Sequence, residues 1–381
     1  KTLVIPIRLS LLLDENRTNE TLLILDKEKQ EFEFDNLFNQ QKVPVISLFR
    51  DFSAPVTWSS DLSIDELLFL IKNDDDLFSL WDAVQSLFRR VIISRASNSP
   101  EFKLEESLLN LLQEKIKIFS NSNKAFLASI LTVPNVSELE LYQHKINPIA
   151  LYESSLNFSK KIASSLFPDL LGLIDKCLYE ASYKWPDGQG SRKLISVIWK
   201  LLILTDNFDI RTDVIKAVKG DCMTLSRAAL QSLIPINCPE RETAMNIFYS
   251  RWKNNPVVLD TWFALQASIP REKSLENMNN LLAHKRFDPM APNSIRAVLG
   301  GFSQNIKYFH SEDGSGYLFM AKQIILVDKR NPITASRLTK VFNRWQSYTN
   351  PFSSEMYNAI KLMDLEDLSS NTREVVDLTI K

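Results

Sequence analysis

Ser63-Ile64-Asp65-Glu66-Leu67-Leu68-Phe69-Leu70-Ile71 is the stretch on which the reading of this chain turns. Ser63 and Glu66 are spaced as a capping box, in which hydroxyl and carboxylate each satisfy a backbone N–H that the first helical turn leaves unpaired. Leu67, Leu68 and Ile71 follow at helical spacing, so a helix starts here. Before this point apolar residues recur every second position, and after it every third or fourth.

Upstream, Val4, Ile5, Ile7, Leu9, Leu11 and Leu13 form a strand pattern with Pro6 inside it. Proline lacks a ladder donor, so the strand must tolerate an edge at that position. Thr21 to Leu25 and Glu31 to Phe34 continue the alternation, the latter with Phe32 and Phe34 on one face, and Pro55 to Trp58 is a candidate last strand. Three or four strands bury an apolar face only against another layer, and they fall short of the seven or so of a full sandwich. Residues 1–59 are therefore expected to be part of an antiparallel β-sandwich that the chain enters midway, leaving an open strand edge able to pair with a second molecule.

Downstream, Trp81, Val84, Gln85, Phe88 and Val91 make a second helical stripe. Helices are expected from there to the C-terminus, with breaks near 98–100, 133–135, 167–169, 185–190, 235–239 and 287–293. The pairs Asn147-Pro148, Asn255-Pro256, Asn331-Pro332 and Asn350-Pro351 each read as a helix start. Asn caps the free N–H groups, and Pro at the first helical position loses no hydrogen bond. The apolar positions that follow align at no fixed period. Short helices spaced about 20 residues apart predict a mainly α fold over residues 60–381, an irregular α-solenoid or superhelix of stacked helix pairs.

Composition narrows the function. Only 8 of 381 residues are Gly, against roughly 7% in an average protein, which disfavours Gly-rich phosphate loops. Lys and Arg number 45 against 46 Asp and Glu, so no net field draws the chain toward nucleic acid or anionic lipid. The longest apolar runs, such as Val197 to Leu204 interrupted by Lys200, fall well short of the roughly 18 residues of a membrane span, and no basic-then-apolar leader is present. Cys177, Cys222 and Cys238 are odd in number and lack a C-x-x-C spacing, which predicts buried free thiols in a reducing compartment and a soluble, cytoplasmic protein.

Few constellations carry chemistry. Glu140 and His144 are four apart, the start of a metal site if a third ligand converged, but more simply a surface i,i+4 pair. Asp74-Asp75-Asp76 lacks the spacing of an EF-hand and reads as a capped loop edge. His310 to Tyr317 encloses the turn Asp313-Gly314-Ser315-Gly316; it either presents His310, Glu312 and Asp313 to a ligand or caps the helix that follows. Arg337 projects from a helix opened by Asn331-Pro332, placed to donate to a peptide carboxylate or to bridge two helices. No nucleophile elbow, P-loop or dinucleotide fingerprint is present.

The run Phe309-His310-Ser311-Glu312-Asp313-Gly314-Ser315-Gly316-Tyr317-Leu318-Phe319, followed by Arg330-Asn331-Pro332-Ile333-Thr334-Ala335-Ser336-Arg337, resembles the C-terminal helical domain of bacterial-type alanyl aminopeptidase, or aminopeptidase N, a family of zinc gluzincins. Leu48 to Val56, Asp260 to Ala267 and Pro292 to Arg296 match the same family in order and spacing. The resemblance implies a parent enzyme that removes N-terminal residues from peptides with a zinc-bound water. Its H-E-x-x-H motif is absent from this chain, whose histidines are His144, His284 and His310. Zinc and every catalytic residue are thus expected outside these 381 residues. The helical domain of such an enzyme cups over the catalytic domain and encloses a chamber that admits short or unfolded peptides. Arg337 matches an Arg that in relatives points toward that chamber. Ile333 departs from the family, falling where bacterial relatives often have Gln; the departure puts a polar peptide contact there in doubt and makes a preference for apolar peptide residues a hypothesis. The competing expectation is a free-standing α-solenoid that binds protein partners.

Overall fold

The alternating residues at the start of the chain pair as expected in a computed structural model that describes residues 3–13, 16–34, 43–99, 102–182 and 186–381. These fall into two compact units, Lys1–Pro134 with Trp185–Leu194, and Asn135–Lys184 with Ile195–Lys381.

The first unit is organised by β1 (Ile5–Leu13). One of its edges pairs antiparallel with β2 (Asn16–Arg17) and β3 (Thr21–Leu25), and the other with β4 (Val45–Leu48). Leu12 faces Arg17 while Leu9 faces Thr21, so one extra residue lies between β2 and β3: they are one strand interrupted by a bulge. Pro6 faces Ile24 in a part of β1 that β4 does not reach. Arg8 turns its N–H away from β3 to Ser53 Oγ at 3.0 Å. Pro6, two residues earlier, aims its nitrogen the same way, so its missing donor costs the ladder nothing.

Two expected strands do not form. Glu31–Phe34 and Pro55–Trp58 join no ladder, whereas β4, which the sequence reading passed over, does. An alternating pattern states only that a segment would suit a pleated surface; a strand also requires a neighbour in register.

The sheet hands over to helices α1 (Ile64–Asn73), α2 (Leu77–Ala96), α3 (Phe102–Ser122) and α4 (Lys124–Leu131). The capping box is present: Glu66 N donates to Ser63 Oγ at 3.2 Å, and Ser63 N to Glu66 Oε2 at 2.7 Å. At the junction Phe49, Asp51 and Phe52 have φ of 53°, 54° and 52°, a left-handed conformation that costs bulky residues free energy and persists where its surroundings over-determine it. Arg50 supplies that constraint. Its guanidinium is buried and donates to Asp74 Oδ1 at 2.8 Å, Asp75 Oδ1 at 2.6 Å, Glu20 Oε2 at 3.2 Å and Ser47 Oγ at 3.0 Å. Asp76 caps α2 through Ser79 N at 2.8 Å and also accepts from Asp51 N at 2.9 Å. The acidic run is thus the fastening between sheet and first helices.

In the second unit come α5 (Val136–Glu140), α6 (Pro148–Ser165), α7 (Phe167–Leu171) and α8 (Ile174–Ala181). α9 (Gln189–Leu202) starts among residues of the first unit and ends among those of the second. Then follow α10 (Phe208–Lys219), α11 (Met223–Ser232), α12 (Pro239–Trp252), α13 (Pro256–Ser268), α14 (Ser274–Leu282) and α15 (Pro292–Ile295). A π-helical turn, Arg296–Gly300, leads into α16 (Gly301–Ser303), α17 (Ile306–Phe309), α18 (Ser315–Asp328), α19 (Pro332–Thr339), α20 (Phe352–Asp364) and α21 (Ser370–Ile380). Neighbours in sequence pack on one another, α10 on α11, α12 on α13, α18 on α19, and α20 on α21, and the shared core holds Trp199, Phe248, Phe263, Phe302, Tyr317 and Phe342.

Asn147, Asn255 and Asn331 cap α6, α13 and α19, each with Pro at the first helical position. The fourth pair behaves differently. The Asn350–Pro351 bond is cis, and α20 begins one residue later at Phe352 without a side-chain cap.

Candidate functional site

α19 carries the two residues that sequence resemblance singled out. Asn331 Oδ1 accepts from Thr334 N at 3.0 Å and sets the first turn. Thr334, Ala335, Leu338 and Thr339 form the buried face. Ile333 and Arg337 lie four residues apart, hence on one face a turn apart, and both are exposed, Ile333 at 58%. The Arg337 guanidinium makes no ion pair or hydrogen bond among the described residues. α19 packs against α18, α21 and the π-helical turn, so this small apolar and cationic edge stands on a braced element.

The turn before α18 is closed tightly by its two glycines. Gly314 has φ of 69°, and a Cβ there would lie 2.6 Å from Glu355 Oε2. At Gly316 a Cβ would lie 2.4 Å from the Tyr308 and Phe309 carbonyl oxygens. Only glycine lets the chain close so tightly. Asp313 accepts from Ser315 N at 3.0 Å at the head of α18, and hydrogen bonds from Ser315 and Ser311 hold its carboxyl below the usual range. His310 turns inward and is only 4% exposed. Glu312 and Asp313 remain exposed beside the head of α18, whose N-cap residue Gly314 has no side-chain cap.

Behind the turn lies a buried polar cluster that joins three distant segments. Tyr317 Oη lies 2.7 Å from His310 Nδ1, and the Tyr348 ring stacks on the His310 ring at 5.4 Å. The Tyr348 hydroxyl donates to Glu140 Oε1 at 2.8 Å, and Arg344 donates to the Glu140 carbonyl at 2.7 Å. Ile146 N donates to the Ser347 carbonyl and Thr349 N to the Ile146 carbonyl, both at 2.8 Å. Burial pushes the His310 imidazole down to about 3, so it is neutral at physiological pH. A neutral ring accepting from the phenol carries its hydrogen on Nε2, and we assign that tautomer. Burial raises both phenols, with the Glu140 carboxylate adding to the effect. Burial also raises Glu140, opposed by the Tyr348 hydroxyl and the Arg344 charge.

The expected i,i+4 pair of Glu140 and His144 is not a surface pair. α5 ends at Glu140, which faces inward to Tyr348, while His144 lies beyond the helix and is exposed. His284 packs among Tyr249, Trp262 and Phe263. Among the described residues no group of three or more His, Cys, Asp or Glu side chains is placed to hold a metal ion. None of the three histidines fits a zinc site: His310 bonds a buried tyrosine, His284 lies in an aromatic cluster and His144 is solvated. Cys177 and Cys238 are buried and Cys222 is half-buried. No helix among the described residues is long and apolar enough to cross a membrane. Sequence reasoning missed the Glu140–Tyr348 contact because 208 residues separate its ends.

A small antiparallel sheet leading into stacked helices defines the class, an armadillo-like helical domain behind an immunoglobulin-like fragment. The chain belongs to the family described as "Domain of unknown function (DUF3458_C) ARM repeats", which matches residues 64–381; a second family, described as an Ig-like fold (DUF3458), matches residues 1–61. Aminopeptidase N of Escherichia coli strain K12 is 32% identical over 368 residues, covering 93% of this chain and 41% of the relative. Aminopeptidase N of Caulobacter vibrioides is 29% identical, with the same 93% and 41% coverage. A crystal structure of Legionella pneumophila aminopeptidase A in complex with aspartic acid matches with a TM-score of 0.87 and 30% identity, covering 99% of this chain and 45% of that one. The matched region is the C-terminal domain of the aminopeptidase N family. The chain spans about two-fifths of the length of these curated relatives.

Proposed function

We propose that this chain is the non-catalytic C-terminal portion of a zinc-dependent aminopeptidase, whose helical domain, residues 60–381, caps the active-site chamber and restricts which peptides enter. Residues 1–59 are then the end of its β-sandwich domain. The observation that carries this reading is the agreement in fold along nearly the whole chain with an aminopeptidase at 30% identity. The zinc and the H-E-x-x-H motif belong to polypeptide outside these residues, and three cysteines, an odd number without a C-x-x-C spacing, support a cytoplasmic location. Arg337 and Ile333 face the peptide from α19: the free guanidinium donates to a peptide carbonyl or carboxylate, and the isoleucine favours an apolar residue. A free-standing scaffold is the less favoured reading, since relatives named for peptidase activity match along almost all of the chain.

Zinc analysis and an alanyl-anilide assay test the reading. The 381-residue chain should bind no stoichiometric zinc and hydrolyse nothing, whereas the full-length polypeptide that carries it should do both. Zinc or hydrolysis in the isolated chain would overturn it. The outer edge of β3, with Leu22 at 57% and Ile24 at 42% exposure, gives the isolated chain a route to self-association. Sedimentation should show a concentration-dependent dimer, abolished by Ile24→Lys; a monomer at high concentration would count against it.

A further inference from the structure

Asp328 is the last residue of α18 and is 5% exposed. A carboxylate there stands at the negative end of its own helix, where it is disfavoured. Its partners lie across the next connection. Ser369 N donates to Asp328 Oδ2 at 2.7 Å, Ser369 Oγ to Oδ1 at 2.6 Å, and the Thr372 hydroxyl to Oδ1 as well. These groups form the N-terminal end of α21, an eleven-residue helix whose positive end favours an anion. The fully buried Thr372 hydroxyl also lies 3.4 Å from the Pro332 carbonyl, the first residue of α19. One carboxylate therefore fastens the end of α18 to the start of α21, and the Thr372 hydroxyl that it holds lies against the start of α19. The far end of α21 is fastened separately, by Trp345 Nε1 donating to the Thr379 carbonyl at 2.8 Å and Thr379 Oγ1 to Asn343 Oδ1 at 3.0 Å.

We infer that Asp328 is a positioning residue: by holding the N-terminal end of α21 across the α18–α19 connection, it sets where the Ile333–Arg337 edge of α19 stands against a peptide. The inference rests on the proposed function for its consequence, not for its geometry. Asp328 touches no peptide and acts through α19. If α19 contacts residues beyond the scissile bond, loosening it weakens binding of a longer peptide and leaves a substrate without such residues unaffected.

Two variants of the full-length protein test this, Asp328→Ala and Thr372→Val, the latter keeping the side-chain shape while removing the shared hydroxyl. Hydrogen exchange should quicken at Thr334 and Ala335 in α19 and in the first turn of α21, with α1–α4 unchanged as internal control. The KM for an alanyl-initiated tetrapeptide should rise about fivefold, the worth of one lost hydrogen bond, while that for alanyl-anilide stays within about twofold. Asp328→Asn keeps an acceptor for Ser369 and should recover much of the loss. Unchanged exchange in α19, or the two KM values moving together, would overturn the inference. Quickened exchange in the variants, with wild type and variants alike lacking peptidase activity, would sink the aminopeptidase reading and leave Asp328 as the residue that positions α19.

Discussion

The Arg50 junction and the Glu140–Tyr348–His310–Tyr317 cluster both bury polar side chains to join segments far apart in sequence, yet they solve the desolvation problem in opposite ways. Arg50 surrounds its guanidinium with Asp74, Asp75 and Glu20. The second cluster holds its histidine and phenols neutral and passes hydrogen bonds between them. A buried paired charge is left uncompensated when a partner is lost, whereas a neutral network loses less per contact and depends on every hydrogen bond being made.

The largest effect should come from breaking the charged junction. Arg50→Ala leaves Asp74, whose side chain is fully buried, without its guanidinium. Urea unfolding should show a loss of about 3–5 kcal/mol. A loss under about 1 kcal/mol, the range of exposed pairs, would erase the contrast with the neutral cluster.

The neutral cluster should instead reveal itself through pH. His310 has a native pKa of about 3, below its value in an unfolded chain. Between those values the unfolded chain binds a proton that the native one refuses, so stability falls as pH drops from about 6.5 toward 3, by up to about 1.4 kcal/mol per pH unit. Glu140, whose pKa is raised, acts in the other direction, contributing stability that is lost as pH rises through its native pKa. Urea midpoints measured across this range should fall less steeply for His310→Gln than for the wild type; parallel slopes would show that some other group governs acid lability. A smaller effect is expected for Tyr348→Phe, which removes the donor to Glu140 Oε1 and should cost about 1–2 kcal/mol.

Ile333 serves as the control outside both networks. Ile333→Gln at an exposed site should shift stability by less than about 0.5 kcal/mol. Under the proposed function it should move the cleavage profile of the full-length enzyme from apolar toward polar residues near the scissile bond. Identical profiles would remove the specificity role of this position.

Much of the fold was legible because its signals are local. The Ser63–Glu66 box, the Asn-Pro starts at α6, α13 and α19, and the change of apolar period each involve residues within a turn of one another. Strand pairing was less legible: Glu31–Phe34 has the right alternation and no ladder, while the four residues of β4 pair without having announced themselves. At the candidate site, the sequence pointed to Ile333 and Arg337 through resemblance, but it left His310 poised between ligand and core.

By itself the sequence determined where several helices begin, that a sheet precedes them, and that no H-E-x-x-H lies within these residues, since each depends on neighbours along the chain. Only the tertiary structure decided that His310 faces Tyr317, that Glu140 answers Tyr348, and that Asp328 holds the start of α21. These are contacts between groups 7, 208 and 41 residues apart. The two longer ones, and the inward turn of the first, are set by which surfaces can be desolvated together, a quantity that no single segment carries.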